Sequence, residues 1–255
     1  MMASKDYSSF LMKDDIELAK LVPDTVLFLS IMGEEWREVK TDLSRSRNEF
    51  SENSGNPPEL IKGALNGNPI VRFSGGTIAS LEEDAVPSGE SYTIVTLARY
   101  NGEKRGRVFS SSNQNWLFGF HKGSQDSLFV GKWLEHGFER DEQWRLHVLR
   151  FNSKDRRIFF RSSGKEIVNQ TMEENSVITS MGRLSLGGWG KNKDQTSQCD
   201  IAYLQVFDRA ISDLEIFQIE HAISKKFSLS EDNNQDFINN CSIYDYFRNF
   251  TLWNN

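Results

Sequence analysis

A chain of 255 residues, 38% hydrophobic and 12% aromatic, can build a sizeable core as one large β domain or as two small domains. This composition excludes wholesale disorder, which requires few aromatic residues and a large excess of charge. The net charge of −6, with no basic stripe of Lys and Arg, argues against a nucleic-acid partner because an acidic surface repels phosphates. The short basic stretch around Arg105 and Arg107 is interpreted as solvated charge in a hairpin turn.

Residues 1–24 form an N-terminal extension, in which residues 14–21 are predicted to be helical until Pro23 ends the helix. From Thr25 onward, short strands alternate with turns rich in Gly, Asn and Ser, which accept the backbone conformations of tight hairpins. Residues 31–62 lack this pattern and are predicted to form a long loop. The predicted strands are residues 25–30, 69–74, 77–81, 92–100, 105–110, 115–121, 127–132, 144–151, 156–161, 166–170, 183–188 and 200–208. Strands at this spacing, without helices alternating between them, indicate a sandwich or a barrel.

One helix is indicated near the end of the strand-rich region. Ser212 and Glu215 form a capping box, in which each side chain accepts a hydrogen bond from a backbone N–H at the start of the helix. An apolar stripe follows at helical spacing: Ile216, Ile219, Ile223 and Phe227. Residues 230–255 then form a tail whose aromatic side chains are expected to dock on the domain or on a partner. These docking residues are Tyr244, Tyr246, Phe247, Phe250 and Trp253.

Three stretches, in order, resemble the laminin-G-like and concanavalin A-like lectin/glucanase jelly-roll superfamily. They are residues 66–73 (Asn-Gly-Asn-Pro-Ile-Val-Arg-Phe), residues 92–120, and residues 200–215, which resemble the closing strand and helical turn of these domains. The resemblance covers about residues 25–229 and implies a mainly β fold, two antiparallel sheets packed as a jelly-roll sandwich with a short C-terminal helix. Ser30 departs from the pattern, which often has Asp after the first strand, and both terminal extensions lie outside it.

No segment is predicted to span a membrane. The longest apolar stretch near the start, residues 26–32, is far shorter than the ~20 residues that a spanning helix needs. It follows several acidic residues and does not look like a signal peptide, so we expect an intracellular protein if Met1 is the native start. Cys199 and Cys241 do not make a disulfide framework, although a single bridge between them stays open.

The motifs of the enzymes that use this fold are missing. Glycoside hydrolases need two carboxylates on one strand face, typically Glu-x-Asp-x-x-Glu, and the nearest approach, residues 139–144, ends in Trp144 instead of Glu. The Gln-x-His strand of related lyases is absent; His147 stands alone on a predicted strand. No phosphate loop, Gly-x-Ser-x-Gly elbow or transition-metal spacing occurs. We therefore predict that the chain is not an enzyme.

Calcium is the one cofactor that the sequence leaves open. A single Ca²⁺ held by loop carbonyls and one or two carboxylates leaves little trace in a sequence. The candidate ligands are Asp126, Asp194 and Asp200.

Carbohydrate binding requires an exposed aromatic ring that stacks on a sugar, flanked by polar side chains that bind the hydroxyls. Trp189 lies in a Gly-rich turn that makes burial difficult, and Trp133 lies close to His136. Trp116 is flanked by amides, although core packing is the competing interpretation for it. The candidate ligand-binding residues are Trp189, Trp133, His136, Trp116, Asn113, Asn115 and Asn192.

The leading hypothesis is a non-catalytic module that binds a glycan or a protein. One alternative is a structural subunit of a larger assembly, which docks through its terminal extensions and aromatic tail. A second alternative is a polysaccharide hydrolase or lyase with an atypical site. Aromatic side chains along an open surface favour sugar binding, whereas a pair of carboxylates facing a groove favours the enzyme.

Overall fold

The computed structural model describes residues 25–29, 49–137, 141–173, 180–190 and 192–229. The predicted helix at residues 14–21, Cys241 and the docking residues of the tail lie outside the described residues. Those docking residues are Tyr244, Tyr246, Phe247, Phe250 and Trp253.

The described residues form two antiparallel sheets and one α-helix, which confirms the predicted mainly β sandwich. In chain order the strands are β1 (Thr25–Leu29), β2 (Phe50–Ser54), β3 (Glu59–Leu65), β4 (Asn68–Ser74), β5 (Ile78–Leu81), β6 (Tyr92–Arg105), β7 (Phe109–Ser111), β8 (Trp116–His121), β9 (Ser124–Val130), β10 (Trp133–Glu135), β11 (Arg145–Asn152), β12 (Arg157–Ser162), β13 (Lys165–Thr171), β14 (Leu184–Leu186) and β15 (Ser197–Phe207). The helix α1 spans Asp213–Lys226.

The eight-stranded sheet has the order β13-β12-β11-β6-β15-β4-β3, and β1 pairs with the second half of β15. The seven-stranded sheet has the order β10-β9-β8-β7-β14-β5-β2. Because strands that are consecutive in the chain switch between the sheets, neither sheet is a simple meander.

The main core lies between the two sheets, where alternate residues of each strand face inward. From β8, Trp116, Phe118 and Phe120 point into this core and have no exposed area. Ile94 and Ala98 of β6 face the same core from the eight-stranded sheet. The opposite residues of β8 therefore point to the outer face of the seven-stranded sheet.

Helix α1 covers much of the outer face of the eight-stranded sheet and forms a second apolar core there. Ile216, Ile219 and Ile223 are fully buried in one cluster with Val95 and Val148. The predicted capping box is present: Glu215 N–H donates to Ser212 Oγ at 3.3 Å, and Ser212 N–H donates to Glu215 Oε2 at 2.8 Å. Within the described residues, no helix is both long and apolar enough to cross a membrane.

Two predictions about the strands were wrong. Within residues 31–62, predicted to be a loop, the structure places β2 and the start of β3, which lie at sheet edges and carry exposed polar side chains instead of an alternating pattern. The predicted break between the strands 92–100 and 105–110, at Asn101-Gly102, is absent because β6 continues to Arg105. The Asn101 amide donates a hydrogen bond to Asp200 at 2.5 Å, which ties this part of β6 to β15.

Candidate functional site

The outer face of the seven-stranded sheet changes from small polar side chains to aromatic side chains along one row. Cross-strand pairing aligns, in order, Ser80, Ser185, Ser110, Leu117, Phe129 and Trp133. This row alternates with the inward residues of the same strands. The three serines and Leu117 are buried, whereas Phe129 and Trp133 are half-buried, so the row reaches the surface at its aromatic end, on β9 and β10.

Four rings at this end form a surface cluster, the aromatic patch: His121, Phe129, Trp133 and His136. The centroid of Trp133 lies 5.0 Å from that of His121 and 5.0 Å from that of Phe129. His136 stacks on Trp133 at 4.4 Å with an interplanar angle of 28°. Trp133 is half-buried and His136 is exposed. The patch therefore presents an indole that three neighbouring rings hold in place.

The chain that follows β10 places His136 against Trp133. The Glu135 carboxylate accepts hydrogen bonds from the backbone N–H groups of His136, at 2.9 Å, and Gly137, at 3.0 Å. The Ser127 hydroxyl donates to the His136 carbonyl at 2.6 Å. Gly137 has φ of +62°, and a Cβ on it would lie 2.1 Å from Ser124 Oγ. Both the backbone conformation and the lack of space therefore require glycine at this position. Glu135 is thus a structural residue of the patch.

His121 is uncharged at neutral pH. Its partial burial, together with the smaller effects of the positive charges of Arg107, Lys122 and His136, lowers the pKa of the imidazole to about 4. A neutral imidazole offers one hydrogen-bond donor and one acceptor. The patch therefore combines ring surface with a neutral polar group.

The loop after β14 folds over the same outer face. The Gly188 carbonyl accepts hydrogen bonds from Ser110 Oγ at 2.6 Å and from Ser185 Oγ at 3.2 Å, which anchor the loop on the row of serines. Trp189 and Asn192 form an isolated bridge, with Asn192 N–H donating to the Trp189 carbonyl at 2.9 Å. The turn thereby places the half-buried Trp189 ring beside the sheet.

Arg107 packs on the Trp189 ring, with its guanidinium carbon 4.1 Å from the ring centroid. Its Nε donates to Gln195 Oε1 at 2.5 Å, and its Nη2 donates to Asn115 Oδ1 at 2.9 Å. We call these two stacked residues the Arg107–Trp189 pair. Ser110, which anchors the loop of Trp189, is in the same cross-strand row as Phe129 and Trp133, so the pair and the aromatic patch lie on the same face of the sheet.

This surface contains most of the predicted ligand-binding residues. Trp133 and His136 belong to the aromatic patch, and Trp189 belongs to the Arg107–Trp189 pair. Asn115 contacts Arg107, and Asn192 contacts Trp189. Sequence reasoning missed Arg107, His121, Phe129 and Gln195. The interpretation of Arg107 as a solvated turn charge was wrong, because only 5% of the residue is exposed.

Two predicted residues do not belong to this surface. Trp116 has no exposed area and packs on Phe118 inside the core, at 5.5 Å between ring centroids, so it cannot stack on a ligand. Asn113 holds its own loop together: its Oδ1 accepts from Ser111 Oγ at 2.7 Å and from Arg183 N–H at 3.0 Å. The sequence indicated that Trp116 and Asn113 lie near a turn, but it could not show which side chains of that turn are buried or bonded within it.

The three predicted calcium ligands have different surroundings. Asp200 is buried and accepts hydrogen bonds from Arg72, Arg99 and Asn101, so its prediction as a metal ligand was wrong because its oxygens and its charge are already satisfied. The Asp126 carboxylate accepts a hydrogen bond from His147 Nε2 at 3.1 Å. Asp194 lies in an exposed 3-10 turn. Within the described residues, no group of three His, Cys, Asp or Glu could hold a metal ion.

The buried His147 and the half-buried Asp126 form a pair across the two sheets. His147 has no exposed area and contacts the rings of Phe118, Phe120 and Phe160. Burial by itself would raise the pKa of Asp126, but hydrogen bonds from His147 and Ser162 and the charges of His147 and Arg145 outweigh it and lower that pKa. Because His147 is enclosed in the core, the pair serves the packing of the sheets.

No known protein family and no curated protein matches the sequence. Solved structures match the fold. Domain 4 of AbnA, a GH43 extracellular arabinanase from Geobacillus stearothermophilus solved in complex with arabinotriose, is 11% identical with a TM-score of 0.58, over 77% of this chain and 98% of that domain. The binding domain of Paraclostridial Mosquitocidal Protein 1 is 14% identical with a TM-score of 0.57, over 80% and 52% of the two chains.

The binding domain of Botulinum neurotoxin DC, solved with rat synaptotagmin II, is 16% identical with a TM-score of 0.55, over 78% of this chain and 52% of that chain. The same toxin domain has been solved in complex with SialylT. This chain thus spans nearly all of the arabinanase domain but about half of the toxin binding domains. At these identities the likeness shows the β-sandwich fold alone.

Proposed function

We propose that this chain is a non-catalytic, lectin-like binding module that recognises carbohydrate through the outer face of its seven-stranded sheet. The observation that carries the proposal is the half-buried Trp133 ring on that face, packed against His121, Phe129 and His136. An indole held in this way loses little conformational freedom when a ligand binds, which favours affinity.

The chemistry of the surface suits a sugar. The C–H groups of a sugar ring pack on an indole, while its hydroxyl groups need donors and acceptors close to that ring. His121 and His136 flank Trp133, and Asn115 and Gln195 flank Trp189. The uncharged His121 can both donate to and accept from hydroxyl groups.

The similar folds support the proposal by analogy. The arabinanase domain was solved with arabinotriose, and the toxin domain with SialylT and, separately, with synaptotagmin II. A sandwich of this type can therefore present a glycan-binding or a protein-binding surface. The resemblance of residues 25–229 to laminin-G-like domains is in keeping with the same role.

The proposal predicts that Trp133→Ala weakens glycan affinity by at least about tenfold, because a central tryptophan is typically a dominant contact in a binding site. A glycan array probed with the full chain, with and without calcium, identifies the sugar class, and calorimetry compares the variants. Trp144→Ala is the matched control, because Trp144 is also half-buried but lies by the eight-stranded sheet, with Arg99 4.9 Å from its ring. Trp144→Ala is expected to bind normally.

Two results would refute this assignment. Equal losses in Trp133→Ala and Trp144→Ala would mean that the aromatic patch is not the site. Failure of the full chain to bind any glycan, with or without calcium, would leave the assembly-subunit hypothesis, with Tyr244, Phe250 and Trp253 of the tail as the residues to vary next.

A further inference from the structure

Arg107 is a buried cation whose partners are all neutral. Only 5% of it is exposed, and its guanidinium contacts Gln195 Oε1, Asn115 Oδ1 and the face of Trp189. The ion pairs among the described residues do not include it. Burial lowers the pKa of Arg107 to about 10, with no opposing effect of a carboxylate. Buried charges in proteins are usually paired with an opposite charge, so this arrangement is unusual.

The Arg107–Trp189 pair also carries two buried N–H donors that have no acceptor among the described residues. These are Arg107 Nη1 and Trp189 Nε1. Guanidinium and indole nitrogens can only donate hydrogen bonds, so nothing but an acceptor can satisfy them. A buried donor without an acceptor costs about 1–3 kcal/mol, and a charged one costs more. The two donors therefore favour an acceptor that carries negative charge.

The pair lies at the surface and not in the core. Trp189 is half-buried, Asn115 is exposed, and the Gly187–Gly190 turn that carries Trp189 lies over the outer face of the sheet. Asp194, the acidic residue of the same loop, is exposed, and its backbone N–H donates to Asn192 Oδ1 at 2.9 Å. Both donors are covered at present, so a small displacement of the Trp189 ring has to accompany binding.

We infer that the glycan recognised by this surface is acidic, with a sugar ring on the aromatic patch and its carboxylate bound by Arg107 and the indole N–H of Trp189. This inference rests on the proposed carbohydrate-binding function and specifies its ligand class. Guanidinium groups bind carboxylates through strong charge-assisted hydrogen bonds. Uronic acids and sialic acids both supply this chemistry.

Pairs of glycans that differ only in the acidic group test the inference. Trigalacturonate is compared with its neutral methyl ester, and sialyllactose with lactose, by calorimetry on the full chain. We expect the acidic member of one pair to bind about tenfold or more tightly than its neutral partner, and the difference to shrink at high salt. The pair that shows the difference identifies the source of the carboxylate. Equal affinities within both pairs would overturn the inference.

Trp189→Phe tests whether the glycan carboxylate binds at the Arg107–Trp189 pair, because this substitution keeps a ring for Arg107 but removes the Nε1 donor. It should lower affinity for the acidic glycan by about tenfold and leave affinity for the neutral partner nearly unchanged. Trp144→Phe, on the other sheet, should change neither. Equal loss for the acidic and the neutral glycan in Trp189→Phe would overturn the placement while the sugar-binding function stands. If no member of either pair binds, the inference fails, whereas the proposed function fails only if the full glycan array is negative as well.

Discussion

Trp116→Ala is expected to lower the free energy of unfolding by about 3–5 kcal/mol, the usual cost of removing a large aromatic side chain from a core. Trp116 has no exposed area and packs on Phe118 between the two sheets. The cavity cannot collapse easily, because β7 and β9 hold β8 on both sides. Urea unfolding followed by circular dichroism measures the loss.

The same substitution at Trp133 separates the two roles of tryptophan. Trp133→Ala should cost much less stability, because the ring is half-buried at the end of the sheet, but it should weaken glycan binding. Trp116→Ala should retain normal affinity under conditions in which it stays folded. If a Trp116→Ala protein is as stable as the parent but no longer binds glycan, Trp116 is a binding residue and not a core residue.

The second large effect is a loss of stability as the pH rises. Glu220 of α1 has no exposed area, and neither of its carboxylate oxygens has a hydrogen-bond partner among the described residues. Arg161 Nη1 lies 3.5 Å from Glu220 Oε2. Burial raises the pKa of Glu220 to about 7, against the lowering effect of the Arg161 charge. The ordinary pKa is 4.5, so the folded protein holds this proton more tightly than the unfolded chain does.

The direction of the pH effect follows from this difference. Below pH 4.5 Glu220 is protonated in both the folded and the unfolded state, and its ionisation costs the folded state nothing. Between pH 4.5 and about 7 only the unfolded chain ionises freely, so the free energy of unfolding falls with rising pH. The total fall is about 3 kcal/mol, since each pKa unit corresponds to about 1.4 kcal/mol. Above pH 7 this contribution is constant.

In Glu220→Gln the side-chain amide resembles the protonated carboxyl group. The substitution should therefore abolish the pH-dependent contribution of residue 220 to the free energy of unfolding. We expect the variant to match the parent at pH 4.5 and to be more stable by about 3 kcal/mol at pH 8. Urea unfolding of both proteins across this pH range is the measurement. Glu90→Gln, at an exposed position, controls for the loss of one negative charge. Identical pH profiles for Glu220→Gln and the parent would show that Glu220 is ionised and satisfied in the folded state.

Local signals predicted much of the fold. Hairpin residues and alternating side chains marked most of the strands, and the pairing of Ser212 with Glu215 correctly marked the start of α1. These features depend on neighbours in the chain, so the sequence carries them directly. β2 and β3 were missed because an edge strand with polar outward residues has no such pattern.

Contacts across the sandwich could not be predicted in the same way. His147 looked like a solitary strand histidine, yet its Nε2 faces Asp126 of the opposite sheet. Gly119 makes room for it: a Cβ there would lie 2.9 Å from His147 Nδ1. Arg107 looked like a turn charge, yet the loop that carries Trp189 folds over it. The partners of His147 and Arg107 are distant in sequence, so no local periodicity encodes them.

Fluorine NMR of the full chain labelled with 5-fluorotryptophan tests the central claim most directly. The chain has six tryptophans, and single Trp→Phe variants assign their resonances. Titration with arabinotriose, trigalacturonate and sialyllactose should shift the resonances of Trp133 and Trp189 and leave those of Trp116 and Trp144 in place. Shifts confined to Trp144 or Trp253, or no shift with any of the three glycans, would contradict a glycan-binding surface on the seven-stranded sheet.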